Sequence, residues 1–167
     1  MTPEEYLALP EEKPYLEYVD GVVLQKPTPN NDHAELVIRL GAFLTAWIEN
    51  GGGGRVGTEA RSRLGELPNF RLPDLSYWKP GTPREYVGPP SLAVEIRSPV
   101  QTIAELRRKC EFFRSSGVEA SWLIDPGSRS AWLFEGRKRA VEVEVLRAGV
   151  LPGFELAVDR LFSVLDA

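Results

Sequence analysis

Ser91-Leu-Ala-Val-Glu95-Ile-Arg97-Ser-Pro99 reads as a short apolar strand carrying one acid, and Arg71-Leu-Pro-Asp74-Leu-Ser-Tyr-Trp78 reads as another just before it. A buried strand rarely keeps a lone carboxylate, because burying an unpaired charge is expensive. Two acids at about 4 Å in an effective dielectric near 20 would repel by roughly 4 kcal/mol, and a shared divalent cation reverses that sign. Alternation puts Ala93, Glu95 and Arg97 on one face of the later strand and Leu92, Val94 and Ile96 on the other. On the earlier strand Asp74 shares its side with Leu72, Ser76 and Trp78. If the strands pair with these faces matched, Asp74 and Glu95 converge. Oxygen-only ligation then suits Mg²⁺ or Mn²⁺, with waters and the Ile96 carbonyl completing the shell. The competing reading puts Asp74 in a turn after Pro73 and pairs Glu95 with Arg97 or a helix residue.

Outward from this pair the chain alternates helices and strands. Thr2 and Pro3 open a short helix over 3–9, and Asp20-Gly21 marks a hairpin within Glu17–Leu24. The loop Pro27–Asp32 caps a helix over 33–49, in which His33, Val37, Leu40, Leu44 and Trp47 recur at helical spacing. Gly51–Gly54 ends it. Strands are expected at 55–64, 72–78 and 91–97. A second helix over 102–116 follows, with Ile103, Leu106, Cys110 and Phe113 as its inward stripe. A strand over 120–124, a hairpin of 130–135 with 140–146 and a short helix near 158–165 close the sequence. This order predicts an α/β fold with a mixed sheet between helices.

Lys109 lies next to the apolar stripe of its helix, so its stem can reach inward while the ammonium stays near the sheet. A metal-dependent phosphodiesterase needs such a cation. The plainer reading is an exposed Glu105–Lys109 pair worth about 0.3–0.5 kcal/mol, with Arg97 as an alternative source of charge. His33, the only histidine, is either a capping and packing residue or, with Glu17, a neighbour of the metal that orients water. Cys110, on an apolar stripe, reads as core and not as a nucleophile.

The 167 residues, 43% of them hydrophobic, suit one domain over 1–167. The longest apolar run falls short of the ~18 residues of a membrane span, so no membrane partner is expected. The acidic, Pro-punctuated N-terminus is unlike a secretory signal, and a single cysteine excludes an intramolecular disulfide; both fit a cytoplasmic protein. A net charge of −4 argues against wide non-specific nucleic-acid binding but leaves room for a local basic groove. Arg61/Arg63, Arg107-Arg108-Lys109 and Arg137-Lys138-Arg139 are its candidates, and each also reads as a solvated face. Gly52-Gly-Gly54-Arg-Val-Gly57 has dinucleotide spacing but follows a helix and precedes a strand, the reverse of the context required. No P-loop or G-x-S-x-G elbow is present, and no organic cofactor is expected.

Pro73-Asp74 with Glu95-Ile-Arg97, on two strands before a helix, resembles the PD-(D/E)XK nuclease superfamily. More closely, the chain resembles the Uma-two family of restriction-endonuclease-like proteins. The likeness runs from Tyr15-Leu-Glu17-Tyr-Val-Asp-Gly21 and the Pro-rich loop ending at His33, through Leu72-Pro-Asp74 and Val94–Pro99. It continues through the Lys109 helix, Gly117-Val, Trp122–Pro126 and Leu151-Pro-Gly-Phe154. The resemblance implies a restriction-endonuclease-like αβββαβ core with N- and C-terminal β-hairpins. It implies a DNA substrate, Mg²⁺ or Mn²⁺ held by Asp74 and Glu95, and catalysis by Asp74, Glu95 and Lys109. Lys109 would stand in for the lysine usually found two residues after the glutamate, a position held here by Arg97. Glu17 and His33 fall at the family's upstream polar positions. Cleaving both strands of a duplex invites a homodimer. The rival expectation is a catalytically silent DNA- or protein-binding module on the same scaffold.

Overall fold

Asp20 and Gly21 adopt φ of 50° and 81°, the left-handed pair that a two-residue hairpin turn requires. Leu16–Val19 (β1) therefore folds back on Val22–Gln25 (β2). The computed structural model, which describes residues 1–167, places this hairpin after a short helix, Pro3–Leu7 (α1). Thr2 and Glu5 form a reciprocal capping box at its start, and its Tyr6 stacks on Tyr18 and Phe70 with ring centroids 5.5 Å apart in each pair.

Asn30 accepts from the His33 amide at 3.0 Å and so caps Asn31–Trp47 (α2). Leu36, Leu40 and Leu44 are fully buried on its inward face; Leu36, one residue before the expected Val37, is the innermost at that turn. A single wide turn over Ile48–Gly52 lets the chain leave through a run of glycines. Gly54 has φ of 87°, and a Cβ there would lie 2.5 Å from the Trp78 carbonyl oxygen and the Tyr77 hydroxyl. Gly54→Ala is accordingly expected to destabilise the fold by roughly 1–3 kcal/mol, read as a lowered urea midpoint at unchanged m-value.

The stretch 55–64, expected as one strand, is two strands in different sheets. Arg55–Thr58 (β3) pairs with Leu75–Trp78 (β6), whereas Ser62–Leu64 (β4) pairs with Asn69–Arg71 (β5). Glu59 breaks them with φ of 53°, a left-handed turn that takes the chain out of the ladder. The expected strand 72–78 likewise starts only at Leu75, because Leu72-Pro73-Asp74 is the return crossing from β5 to β6. Proline suits that crossing, having no amide proton to give to either ladder.

The main sheet has the order β10-β9-β8-β7-β6-β3. It contains Leu92–Ile96 (β7), Ala120–Asp125 (β8), Ser130–Glu135 (β9) and Val141–Val143 (β10). Only β7 and β8 run parallel, and Ile103–Ser115 (α3) makes their crossover, as a parallel pair requires. A smaller sheet runs β2-β1-β5-β4. The expected hairpin strand 140–146 is shorter than anticipated: Val145–Leu146 (β11) turns away to pair with Leu156–Ala157 (β12). Val158–Phe162 (α4) and a 3₁₀ turn over Ser163–Asp166 end the regular structure, as the short helix expected near 158–165.

Alternation along β7 sorts the core. Leu92, Val94 and Ile96 join Leu36, Leu40, Leu44 and Trp122 on the α2–α4 face. Ala93 joins Leu106, Cys110, Phe113 and Leu123 under α3. At roughly 25 cal/mol per Å² of apolar surface removed from water, this two-sided burial is what holds the central strands. The αβββαβ order is α2, β3, β6, β7, α3, β8.

Candidate active site

Antiparallel pairing of β6 with β7 sets Leu75 opposite Val94, so Asp74, one residue earlier, lies across from Glu95. Both are almost wholly buried, at 3% and 2% exposure. The Ile96 amide donates to Asp74 Oδ2 at 2.7 Å, which extends the ladder through a side chain. His33 Nε2 lies 3.1 Å from the same oxygen. It reaches there because α2 opens directly over this end of the sheet. Glu95 faces the α3 side, where Lys109 Nζ is 2.9 Å from its Oε1. Lys109 does not form the surface pair with Glu105, whose carboxylate accepts from the Thr102 amide at the helix start.

Glu17, on β1, is the second partner of Lys109, at 3.2 Å. Arg71 donates to the same oxygen, Oε1, at 3.3 Å, and the other oxygen, Oε2, accepts from the Leu72 amide at 2.7 Å. Glu17, Lys109 and Glu95 thus form one buried group and Asp74 with His33 another, and Glu95, Asp74 and His33 line one cavity, so that both sheets and two helices contribute to a single network of charges.

Two members of that network were not expected from the sequence. Lys26 Nζ donates to Asp74 Oδ1 at 3.0 Å, to Glu59 Oε2 at 2.9 Å and to the Leu72 carbonyl. Lys26 follows an exposed strand and precedes a proline, a context that ordinarily leaves a lysine in solvent. Glu59 sits in what reads as an unbroken strand, with no turn residue to mark its left-handed backbone. Neither had a local signal.

Arg97, expected as a possible neighbour of the metal, makes its contacts with β8 and with the loop before α3. It shares the Glu95 face, but at the end of β7 its side chain reaches across to β8. There Arg97 Nε donates to Asp125 Oδ1 at 2.7 Å and its Nη1 to the Gln101 carbonyl at 3.0 Å. Burial pushes the Asp125 carboxyl up, but the Arg97 and Ser128 hydrogen bonds and the Gly127 amide outweigh this and hold it below the usual range. A lowered native pKa means stability that is present above the unfolded value and lost as pH falls through the native one. Asp125→Asn should therefore lower the urea midpoint at pH 7, with the gap to wild type narrowing as pH falls below the usual aspartate range.

The same opposition acts at the centre. Burial alone would raise Asp74, but the Lys26 ammonium and the His33 hydrogen bond hold it well below the carboxylate range. Glu95 goes the other way. Its burial exceeds the pull of Lys109, the Asp74 charge adds to it, and the carboxyl is raised to about 7. Two neighbouring acids with pKa values driven apart are a common mark of a functional site.

A small polar cavity of ≈ 20 Å³ opens among Lys26, His33, Glu59, Asp74 and Glu95, room for about one water or one bare cation. No three His, Cys, Asp or Glu side chains converge as a ready-made metal cage. A Mg²⁺-type site needs only one or two carboxylates, since water and substrate phosphate fill the rest of the shell. Glu95 Oε1 supports that use: it is buried without a hydrogen bond, Lys109 lying within ion-pair distance but off the bonding direction. The donor set fits a hard divalent ion. A broader groove of ≈ 930 Å³ between the β1–β2 hairpin and α3 leads to the cluster, lined by Glu17, Lys26, Arg71, Arg108 and Lys109 among others.

The αβββαβ order, with paired acids on adjoining strands at the end of a mixed sheet, defines a restriction-endonuclease-like fold. The chain belongs to the Uma2 (Uma-two) family, whose model, described as "putative restriction endonuclease", matches residues 3–159. Its structure is similar to the crystal structure of a "putative nuclease belonging to DUF820" from Anabaena variabilis. That similarity has a TM-score of 0.86 at 23% identity and covers 99% of each chain. No curated protein matches the sequence. No helix is long and apolar enough to cross a membrane.

Proposed function

We propose that this chain is a Mg²⁺- or Mn²⁺-dependent DNA endonuclease. The observation that carries the reading is the meeting of Asp74 and Glu95 at one small polar cavity, with Lys109 drawn from α3 onto Glu95. Asp74 and Glu95 hold the ion. When bound, the ion supplies Lewis-acid stabilisation of the phosphoryl oxygens and a more acidic water. His33 and the Ile96 amide fix the Asp74 carboxylate from the Oδ2 side. Lys109, at the groove floor, stabilises negative charge developing on the scissile phosphate. Arg71 and Arg108, higher in the groove, orient the phosphodiester backbone. Glu17 keeps Lys109 and Arg71 in place.

Membership of a family described as restriction endonuclease supports DNA as substrate. A homodimer in the cytoplasm is the assembly that double-strand cleavage favours, and sedimentation of the full chain with and without duplex tests it. The decisive experiment is cleavage of supercoiled plasmid with Mg²⁺ or Mn²⁺, with Asp74→Asn as control. Metal-dependent nicking that the substitution abolishes upholds the reading. Salt-sensitive DNA binding without cleavage, indifferent to Asp74, would replace it with a silent binding module.

A further inference from the structure

Lys26 is a buried lysine whose ammonium sits at the focus of three oxygens from two links of the chain. Glu59 Oε2 is at 2.9 Å and Asp74 Oδ1 at 3.0 Å, and the Leu72 carbonyl accepts its remaining proton. All three oxygens come from links where the chain crosses between the sheets: Leu72 and Asp74 from the link between β5 and β6, and Glu59, with its left-handed backbone, from the link between β3 and β4. The stem is tethered from behind: the Lys26 amide donates to the Tyr15 carbonyl at 2.9 Å, and Pro27 follows. Two carboxylates and a carbonyl, with no nitrogen or sulfur, are the donors of a hard divalent cation. Asp74 divides its oxygens, Oδ1 toward Lys26 and Oδ2 toward His33, and Glu95 closes the far side of the adjoining cavity.

We infer that Lys26 is a tethered cation occupying the second cation position of this site. The Asp74–Glu59–Leu72 cage is filled by its ammonium, so the site takes one divalent ion, at Asp74 and Glu95. Lys26 supplies to Asp74 and Glu59 the positive charge that a second metal would otherwise bring. The three N–H groups of the ammonium are all spent on these oxygens, so a single positive charge faces two carboxylates, fewer charges than a divalent ion would bring there. Two-metal nucleases clamp attacking and leaving oxygens with ions about 3.5–4 Å apart; here one of those charges is covalently attached to the protein. The inference rests on the nuclease reading for its metal at Asp74 and Glu95, but the cage can be tested separately.

The test is Mn²⁺ titration of the full chain, by calorimetry and electron paramagnetic resonance, on wild type, Lys26→Met and Lys26→Met/Glu59→Gln. Thermal unfolding of each is recorded in EDTA and in Mn²⁺. Wild type is expected to bind one Mn²⁺ per chain, and Lys26→Met two, with the spectrum of an exchange-coupled pair. Lys26→Met should unfold earlier than wild type in EDTA and gain more from Mn²⁺. Adding Glu59→Gln should return the stoichiometry to one. Lys26→Gln, which keeps a hydrogen-bond donor, carries the same test if the methionine variant does not fold. One Mn²⁺ per chain in both wild type and Lys26→Met, with equal thermal gains, would overturn the inference and leave the nuclease reading standing. No Mn²⁺ in wild type with one in Lys26→Met would uphold the cage and overturn the metal site at Asp74 and Glu95. Binding by neither would overturn both.

Discussion

Lys109→Met is expected to unfold at a markedly lower denaturant midpoint than wild type, and the deficit should grow as pH rises. Lys109 is 6% exposed and faces Glu95 and Glu17. Glu17 keeps Arg71 and the Leu72 amide when the lysine is gone. Glu95 keeps no ion-pair partner. Removing one member of a buried pair typically destabilises by about 3–5 kcal/mol, because the other charge is stranded. For a chain of this size that corresponds to roughly 6–20 °C in Tm. The pH dependence follows from Glu95, whose carboxyl is raised to about 7 even with Lys109 present and should rise further without it. A raised native pKa means that the folded state holds a proton the unfolded chain has released, so stability falls as pH climbs between the two values. The deficit of Lys109→Met should be small near pH 5, where Glu95 is neutral, and large near pH 8.5. Urea titrations at those two values in EDTA decide it; an equal deficit at both would mean that Lys109 does not neutralise Glu95.

Asp74→Asn should reduce plasmid nicking by about 10²–10³-fold, the scale on which a single preorganised electrostatic group acts. The asparagine keeps the size of the side chain and can still accept from the Ile96 amide, so the protein should remain folded. What it loses is the full negative charge that attracts a cation, together with the ion pairs to Lys26 and His33. Mn²⁺ affinity should fall in parallel with cleavage. Retention of metal-dependent nicking by Asp74→Asn would remove Asp74 from the metal site and leave Glu95 as its only acid.

The elements around the site were readable wherever a local rule governs them. The Asp20-Gly21 turn is demanded by its two positive φ values. The stripe of Ile103, Leu106, Cys110 and Phe113 marked α3, and period-two alternation put Glu95 opposite the Leu92, Val94 and Ile96 core. Asp74 and Glu95 stood out because an acid inside an apolar strand contradicts its surroundings. Lys109 was legible as a lysine beside a buried stripe. Lys26 and Glu59 were not: each is locally unremarkable, and both are brought to Asp74 by crossings between two sheets. Arg97 shows the converse, sharing the correct face yet captured by Asp125 from the next strand.

By itself the sequence determined the faces of the central strand, the presence and inward stripes of the helices, and which acids stand out, because burial and backbone geometry act over a few residues and leave a periodic trace. Only the tertiary structure decided which charges meet. Their pairing depends on distances across two sheets that no spacing along the chain encodes, and on burial that makes each unmatched charge too costly to leave alone.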